Sequence, residues 1–342
     1  MKPLDISVPC KQLLADRRAL TLSVVVPSKN EEAVLRQTHE RLTRVLEHDI
    51  TDFEIVYVDD GSTDSTFNLL CEIQNKDRRA KVVQLSRNFG QQVAITAGIE
   101  HASGSAVVVI DADLQDPPEV IPLMIERWRE GFDVVYGLRI KRDGETLFKL
   151  SSAKAFYWFV NHVSSMPIPA DTGDFRLMDR KVIDALLRMP ERDRFLRGMV
   201  NWVGFKQVAV PYERYSRQAG ETKYPFLRML RLAMDGVTSF SMLPLKMATW
   251  LGFSASTIAM ILICYAMFVH AFTSRWITGW TSLFIAVLFM GGAQLICLGI
   301  IGEYIGRVYG ETKNRPLYFV QQRVGFEPGV KTQDEILRAA TR

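Results

Sequence analysis

Between Ala248 and Gly302 the chain carries one formally charged residue, Arg275, in 55 positions. Arg275 divides the block into Ala248–Phe272, 25 residues, and Trp276–Gly302, 27 residues. A bilayer core needs about 20 apolar helical residues, so each stretch is long enough to span it once. The link Thr273–Arg275 leaves room only for a tight hairpin turn. The other 79 of the 80 charged residues fall on the remaining 287 positions, an ordinary density for a soluble domain. That distribution excludes a wholly soluble chain, a disordered chain and a transporter of many spans. It leaves a soluble domain tied to a two-helix membrane anchor.

The charge on either side of the block orients it. Residues 206–247 hold seven basic and three acidic groups, and the tail from Glu303 holds seven against five, whereas residues 1–205 are slightly acidic. Basic flanks are retained on the cytoplasmic side, which places both ends of the hairpin there. Pro225–Ser241 carries Phe226, Leu230, Ala233, Val237 and Phe240 at helical spacing, with Arg228, Arg231 and Asp235 between them. This pattern predicts an amphipathic helix lying on the interface. A nucleic-acid partner would require a basic, aromatic-laced soluble part and is excluded by the acidic one. Cys10, Cys71, Cys264 and Cys297 have no paired spacing, so neither a disulfide framework nor a Cys-type zinc site is expected. Lys11, Asp16, Arg17 and Arg18 interrupt the N-terminal stretch, and no cleaved signal peptide is expected.

From Leu20 onward, short Val/Ile-rich runs alternate with longer polar stretches of helical character. Strands are expected at Leu22–Val26, Phe53–Val58, Lys81–Leu85, Ala106–Ile110 and Asp133–Tyr136. Helices are expected near Glu31–Glu47, Ser65–Asn75, Gln91–His101 and Pro118–Arg129. Such alternation specifies an α/β domain with a mostly parallel sheet covered on both faces. The expected layout is an extension over 1–19, this domain over 20–224, and a juxtamembrane helix over 225–246. The two spans then lie within 247–303, and a cytoplasmic tail runs over 304–342.

In sheets of this kind ligands sit beyond the carboxyl ends of the strands. The residues there are Pro27-Ser-Lys-Asn-Glu31, Asp59-Asp-Gly-Ser62, Ser86-Arg-Asn-Phe-Gly90 and Asp111-Ala-Asp-Leu-Gln115. Neither a G-x-G-x-x-G turn nor a G-x-x-x-x-G-K-[ST] loop is present, so the usual phosphate cradles are absent. An acidic strand end repels a bare diphosphate, and a nucleotide bound here needs a divalent cation between the two. Asp111 and Asp113, at i and i+2 where a strand ends, can converge on one hard ion, Mg²⁺ or Mn²⁺. Such an ion neutralises the charge of a departing diphosphate.

The strings V-P-x-x-N-E, V-D-D-G-S-T-D and D-A-D-L-Q-D-P-P-E resemble those of inverting family 2 glycosyltransferases of the GT-A fold. The likeness is to their polyprenyl-phosphate branch, which includes dolichol-phosphate mannose synthase and bactoprenol glucosyltransferases. It continues through Asp171–Asp179, Arg194–Gly198, Arg217–Pro225 and Gly302–Arg307, and so covers roughly residues 20–325. The resemblance implies that Pro27, Lys29, Glu31, Val58 and Asp60 line the nucleoside pocket, Asp60 reading the base edge. Lys29 stands where many relatives have Tyr. By the same likeness Asp111 and Asp113 bind the metal, Ala112 and Gln115 lie beside the diphosphate, and Arg139, Arg217 and Lys223 meet the acceptor phosphate. Asp171 and Asp174 are the catalytic candidates, one of them orienting acceptor or sugar. A phosphate acceptor, with a second pKa of about 6, is already ionised and does not strictly require a general base.

The expected activity is transfer of one sugar, glucose from UDP-glucose as first choice, to undecaprenyl phosphate in the bacterial inner membrane. The alternatives are transfer of 4-deoxy-4-formamido-L-arabinose for lipid A modification and a catalytically inactive membrane scaffold. The chain has no Q-x-x-R-W string, and two spans are too few for a polymer channel, which sets it apart from processive synthases. The resemblance also implies a homo-oligomer, a tetramer, and a flippase of the same pathway as partner.

Overall fold

The computed structural model describes residues 20–140, 172–192, 194–214, 243–273 and 279–327. The chain divides into two compact units, one holding a β-sheet and the other two long helices. In the first unit the order is β1 (Thr21–Ser28), α1 (Leu35–Asp49), β2 (Asp52–Asp59), α2 (Thr66–Lys76), β3 (Ala80–Leu85), α3 (Gln91–His101) and β4 (Ala106–Val109). A 3₁₀ turn at Pro118–Val120 leads into α4 (Ile121–Arg129), then β5 (Val134–Arg139), β6 (Thr172–Asp179), α5 (Arg180–Leu187), α6 (Leu196–Trp202) and β7 (Gln207–Tyr212). The second unit holds α7 (Leu243–Thr273) and α8 (Trp280–Thr312), after which β8 (Val320–Val324) returns to the first.

The sheet runs β7-β5-β6-β4-β1-β2-β3-β8. The pairs β3-β2-β1-β4 are all parallel, as is β5-β7, while β6 runs antiparallel between β4 and β5, and β8 antiparallel beside β3. β1 shows why these sequences become strands. Its Leu22, Val24 and Val26 enter the layer beneath α1, α2 and α4, while Val25 enters the layer beneath α3, α5 and α6. β-branched residues tolerate burial on both faces of a pleat, and each fully buried Val or Leu contributes roughly 1.5–3 kcal/mol. α3 lies close against the sheet because its facing side is small. A Cβ on Gly98 would collide with a Val25 methyl.

The five expected strands and four expected helices are present with ends shifted by a few residues; α1 begins only at Leu35, after the turn that Glu31 initiates. β6, β7, β8, α5 and α6 were not foreseen. β8 lies within the segment read as a cytoplasmic tail; it is instead an edge strand of the sheet. Cys71, Cys264 and Cys297 are free thiols, and Cys10 lies outside the described residues.

Within the second unit, α7 and α8 are long and apolar enough to cross a membrane, with mean hydropathy 1.3 over Leu245–Leu262 and 1.4 over Phe289–Thr312. A soluble protein's core helix would bury its apolar side chains, yet Trp250, Phe272 and Leu295 are all more than 70% exposed. α8 begins at Trp280 and outlasts the expected span by ten residues, since Gly302 is followed by helix as far as Thr312. Glu303 and Arg307 close an i,i+4 ion pair at 3.2 Å there, which suits a helix leaving an apolar layer. The expected juxtamembrane helix falls on residues outside those described.

Candidate active site

The carboxyl ends of β1, β2 and β4 meet the first residues of β6, because β6 runs antiparallel with Arg176 opposite Val109. The loops after β1 and β2 are laced together. The Asn30 N–H donates to Ser62 Oγ at 3.0 Å, the Thr63 N–H to Asn30 Oδ1 at 2.9 Å, and the Glu31 N–H to Thr66 Oγ1 at 2.9 Å. Gly61 turns the chain with φ +61°, and a Cβ there would stand 2.5 Å from the Arg87 carbonyl carbon. Between these loops Pro27 and Glu31 are half-buried and Lys29 is exposed. Val58 is fully buried in the layer under α3, so its backbone is what it can offer a ligand.

Asp60 is buried, and its two oxygens accept from the backbone N–H groups of Phe89 at 2.7 Å and Gly90 at 3.0 Å. Burial raises its pKa, with the two amides pulling the other way. Two of its four acceptor positions are thus occupied and two remain open to a ligand. Gly90, at φ +99°, aims the amides inward as strand gives way to helix.

At the next strand end Asp111 accepts from Gln91 Nε2 at 2.9 Å, and Asp113 from the Gln115 backbone N–H at 3.2 Å. Ala112 is buried, and its carbonyl accepts from Thr38 Oγ1 at 2.7 Å. Asp111 has its pKa pushed up to about 7, by burial first and then by the negative charge of Asp174, Asp116 and Asp113. Asp174, on β6, is 7% exposed and held from two sides. Arg197 donates to both its oxygens at 2.9 and 3.3 Å, and Gln92 Nε2 donates at 3.1 Å. Burial, the largest single influence, would raise its pKa, but Arg197, Arg176 and the Gln92 amide together hold it below the usual carboxylate range. A carboxylate so engaged is a poor proton acceptor and a good structural pillar.

Basic groups gather at the ends of β5 and β7. Arg139 donates through Nε to the Tyr212 hydroxyl at 3.2 Å, and that hydroxyl donates to Asp116 Oδ1 at 2.5 Å. Arg139 Nη2 lies 3.8 Å and Arg214 Nε 3.4 Å from the same oxygen of Asp116, which is 1% exposed. Gly173 leaves the space that the Arg139 guanidinium fills, and Gly137 the space beside the Tyr212 ring. Asp171, Arg217 and Lys223 lie outside the described residues.

Residues 23–187 match the family described as glycosyl transferase family 2. The chain is 50% identical over 310 residues to the uncharacterized glycosyltransferase YkcC of Bacillus subtilis (strain 168), covering 91% of this chain and 96% of that one. It is 38% identical over 303 residues to the prophage bactoprenol glucosyl transferase homolog of Escherichia coli (strain K12), covering 89% and 99%. Among solved structures, mannosyl-3-phosphoglycerate synthase from Rubrobacter xylanophilus overlaps 66% of this chain and 75% of its own, with TM-score 0.44 and 20% identity. The chain belongs to the family 2 glycosyltransferases. Its sheet unit has the GT-A-like α/β fold of that family, and it is an enzyme.

Among the described residues of this glycosyltransferase, no group of three or more His, Cys, Asp or Glu side chains is arranged to hold a metal ion. Two carboxylates suit Mg²⁺ or Mn²⁺, which take their remaining oxygens from diphosphate and water. The donor set fits in charge as well: after burial, neighbouring carboxylates add to the rise in the Asp111 pKa, and a divalent cation would relieve that crowding. Sequence reasoning missed Gln91, Gln92, Asp116, Arg197, Tyr212 and Arg214. Asp116 and Arg197 stood inside strings quoted for the family likeness; the two glutamines and Tyr212 carried no signal.

Proposed function

We propose that this glycosyltransferase moves one glucose from UDP-glucose to undecaprenyl phosphate, giving a lipid-linked sugar by a single inverting displacement. The observation that carries this reading is the 38% identity over nearly the full length of a bactoprenol glucosyl transferase homolog. The site supports it. Asp60 and the loops after β1 and β2 receive the nucleoside, and Asp111 and Asp113 face the diphosphate. A divalent cation bound there would neutralise the charge gathering on UDP as it leaves.

The acceptor monophosphate is ionised near neutral pH, so no side chain has to remove a proton. Its oxygen forms the new bond at the anomeric carbon while the bond to the UDP oxygen breaks on the opposite side. Asp174, with both oxygens engaged by Arg197 and Gln92, orients rather than accepts a proton. Arg139 and Arg214 are the guanidiniums suited to grip the incoming phosphate, with Arg217 and Lys223 further along the same stretch.

Chain connectivity supports the membrane topology. The chain leaves the sheet after β7 and rejoins it at β8, seven residues after α8 ends. An even number of crossings satisfies that path and a single crossing does not. With the basic flanks, it supports a hairpin whose two ends lie on the cytoplasmic side with the catalytic unit. The test is incubation of full-length purified enzyme with undecaprenyl phosphate, Mg²⁺ or Mn²⁺ and a panel of radiolabelled nucleotide sugars. A glucosyl lipid formed from UDP-glucose is expected. Absence of any lipid product, or transfer only of formamido-arabinose, refutes the reading.

A further inference from the structure

Three carboxylates reach the site from three different strands, yet one short segment contacts all of them. The segment is Phe89–Gln92, the turn after β3 and the first residues of α3. Its Phe89 and Gly90 amides hold Asp60 of the β2 end, its Gln91 side chain holds Asp111 of the β4 end, and its Gln92 side chain holds Asp174 of β6. Gln92 reaches further, for its Oε1 accepts from the Leu196 N–H at 3.0 Å. That bond seats the start of α6 beside the carboxylate which Arg197, the next residue, also binds.

The segment is itself braced. Gly90 begins α3 by accepting from the Val93 and Ala94 N–H groups, both at 3.0 Å. The Phe89 ring packs against the layer under α3 and beneath the Arg87 guanidinium, 4.2 Å from its centroid. On the other side the Ser86 N–H donates to the Phe319 carbonyl at 2.9 Å, and the Tyr318 hydroxyl donates to Glu100 of α3 at 2.5 Å. The residues leading into β8 therefore clasp both the base of the turn and the helix that continues it.

We propose that Phe89–Gln92 is the positioning segment of the donor site, with Gln91 setting Asp111 toward the cation and Gln92 setting Asp174 toward the sugar. The inference rests on the reading of Asp60 and Asp111 as the nucleotide-diphosphate side of the site. Chemistry favours neutral amides here. A glutamine donates to a carboxylate without cancelling its charge, so Asp111 keeps the charge a divalent cation requires, whereas an arginine would neutralise it. Neighbours of this kind hold a ligand group in one orientation, and their loss commonly lowers metal affinity or activity by about 10–100-fold.

The experiment uses the full-length enzyme and four variants: Gln91→Met, Gln91→Glu, Gln92→Met and Gln92→Glu. Mn²⁺ binding in the presence of UDP is followed by the electron paramagnetic resonance of free Mn²⁺, beside UDP affinity, kcat and thermal unfolding. Gln91→Met is expected to weaken Mn²⁺ about tenfold. Gln92→Met is expected to lower kcat about tenfold, with Mn²⁺ and UDP affinities within twofold of wild type. The glutamate variants preserve size but replace the donor with a charge facing a carboxylate, so Gln92→Glu must lose at least as much kcat as Gln92→Met, and Gln91→Glu must lose kcat even where the added carboxylate retains Mn²⁺. A space-filling role instead leaves them near wild type, and that result overturns the proposal. So does wild-type Mn²⁺ affinity and kcat in both methionine variants, or outright unfolding of all four. Wild-type enzyme that binds Mn²⁺ and UDP but makes no glucosyl lipid removes the acceptor reading and leaves this comparison standing.

Discussion

Replacing Arg197 with Met separates the two roles that Asp174 could hold. The substitution keeps most of the side-chain volume and removes both donors to a carboxylate that is 7% exposed. Stripping the partner from a buried ion pair costs about 3–5 kcal/mol, because the remaining charge loses its compensation. The Arg197 side chain is 29% exposed and Gln92 keeps donating, so the low end, about 3 kcal/mol, applies. For a folded unit of this size each kcal/mol shifts the melting temperature by about 2–4 °C, which gives a fall of about 6–12 °C. Scanning fluorimetry of the purified full-length enzyme measures it. Adding Asp174→Asn to Arg197→Met removes the orphaned charge, so the double variant must melt above the single Arg197 variant. The pH dependence has a fixed sign. Asp174 has its folded pKa lowered, so its ionised contribution is complete above the unfolded value near 3.9 and is lost as pH falls through the lower folded value. Without Arg197, burial raises the Asp174 pKa above its unfolded value, so the gap between wild type and Arg197→Met is widest at neutral pH and contracts on acidification as that raised pKa is crossed. A melting shift under about 2 °C, or a double variant no more stable than Arg197→Met, refutes the pillar assignment. A general base would instead show itself as a loss of about 10²–10⁴ in kcat for Asp174→Asn with unchanged melting.

Asp113→Ala should abolish turnover and Mn²⁺-dependent UDP binding, as measured by calorimetry; near-full activity would remove Asp113 from the metal site. Gly61→Ala forces a left-handed backbone on an L side chain, about 1–2 kcal/mol, and drives a Cβ into Arg87 and Asn88. Because the amides that hold Asp60 follow directly, UDP affinity should fall together with the melting temperature. Tyr212→Phe keeps the ring beside Gly137 and against Phe175 but strips buried Asp116 of its hydroxyl donor, about 1–3 kcal/mol. It should raise the KM for undecaprenyl phosphate while UDP affinity stays within twofold.

The five foreseen strands and four foreseen helices were legible because their apolar runs and helically spaced apolar residues mark what the two layers beside the sheet bury. β6 was not. Thr172–Asp179 carries Asp174, Arg176 and Asp179 among eight residues, a composition that reads as loop. It becomes a strand because each charge finds a partner, some across the fold and some close in sequence. Arg197 takes Asp174, the Gly173 carbonyl takes Arg176, and Asp179 accepts from Trp128 Nε1 and caps α5 through the Lys181 N–H. β8 was hidden for the opposite reason. An edge strand has one neighbour and an exposed face, so Val-Gln-Gln-Arg-Val needs no apolar alternation. The second apolar helix was read as ending at its first charge, but helix continues wherever polar residues pair along it, as Glu303 and Arg307 do.

The same contrast runs through the site. Asp60, Asp111 and Asp113 could be singled out because a carboxylate at an expected strand end announces its chemistry by residue type, whereas Asp174 was named only through the family likeness. What holds them could not, since most of the holding is done by backbone N–H groups and by glutamine amides. Every residue but proline has the former, and glutamines are common on solvated helix faces. Gln91 looks like such a surface residue until β4 ends within hydrogen-bond reach of it, a proximity set by parallel pairing of β1 with both β2 and β4. Sequence thus exposes groups whose function is intrinsic and conceals groups whose function is relational. On the proposal made above, the relational groups Phe89 to Gln92 decide whether three of these acidic side chains repel one another at random or face one substrate.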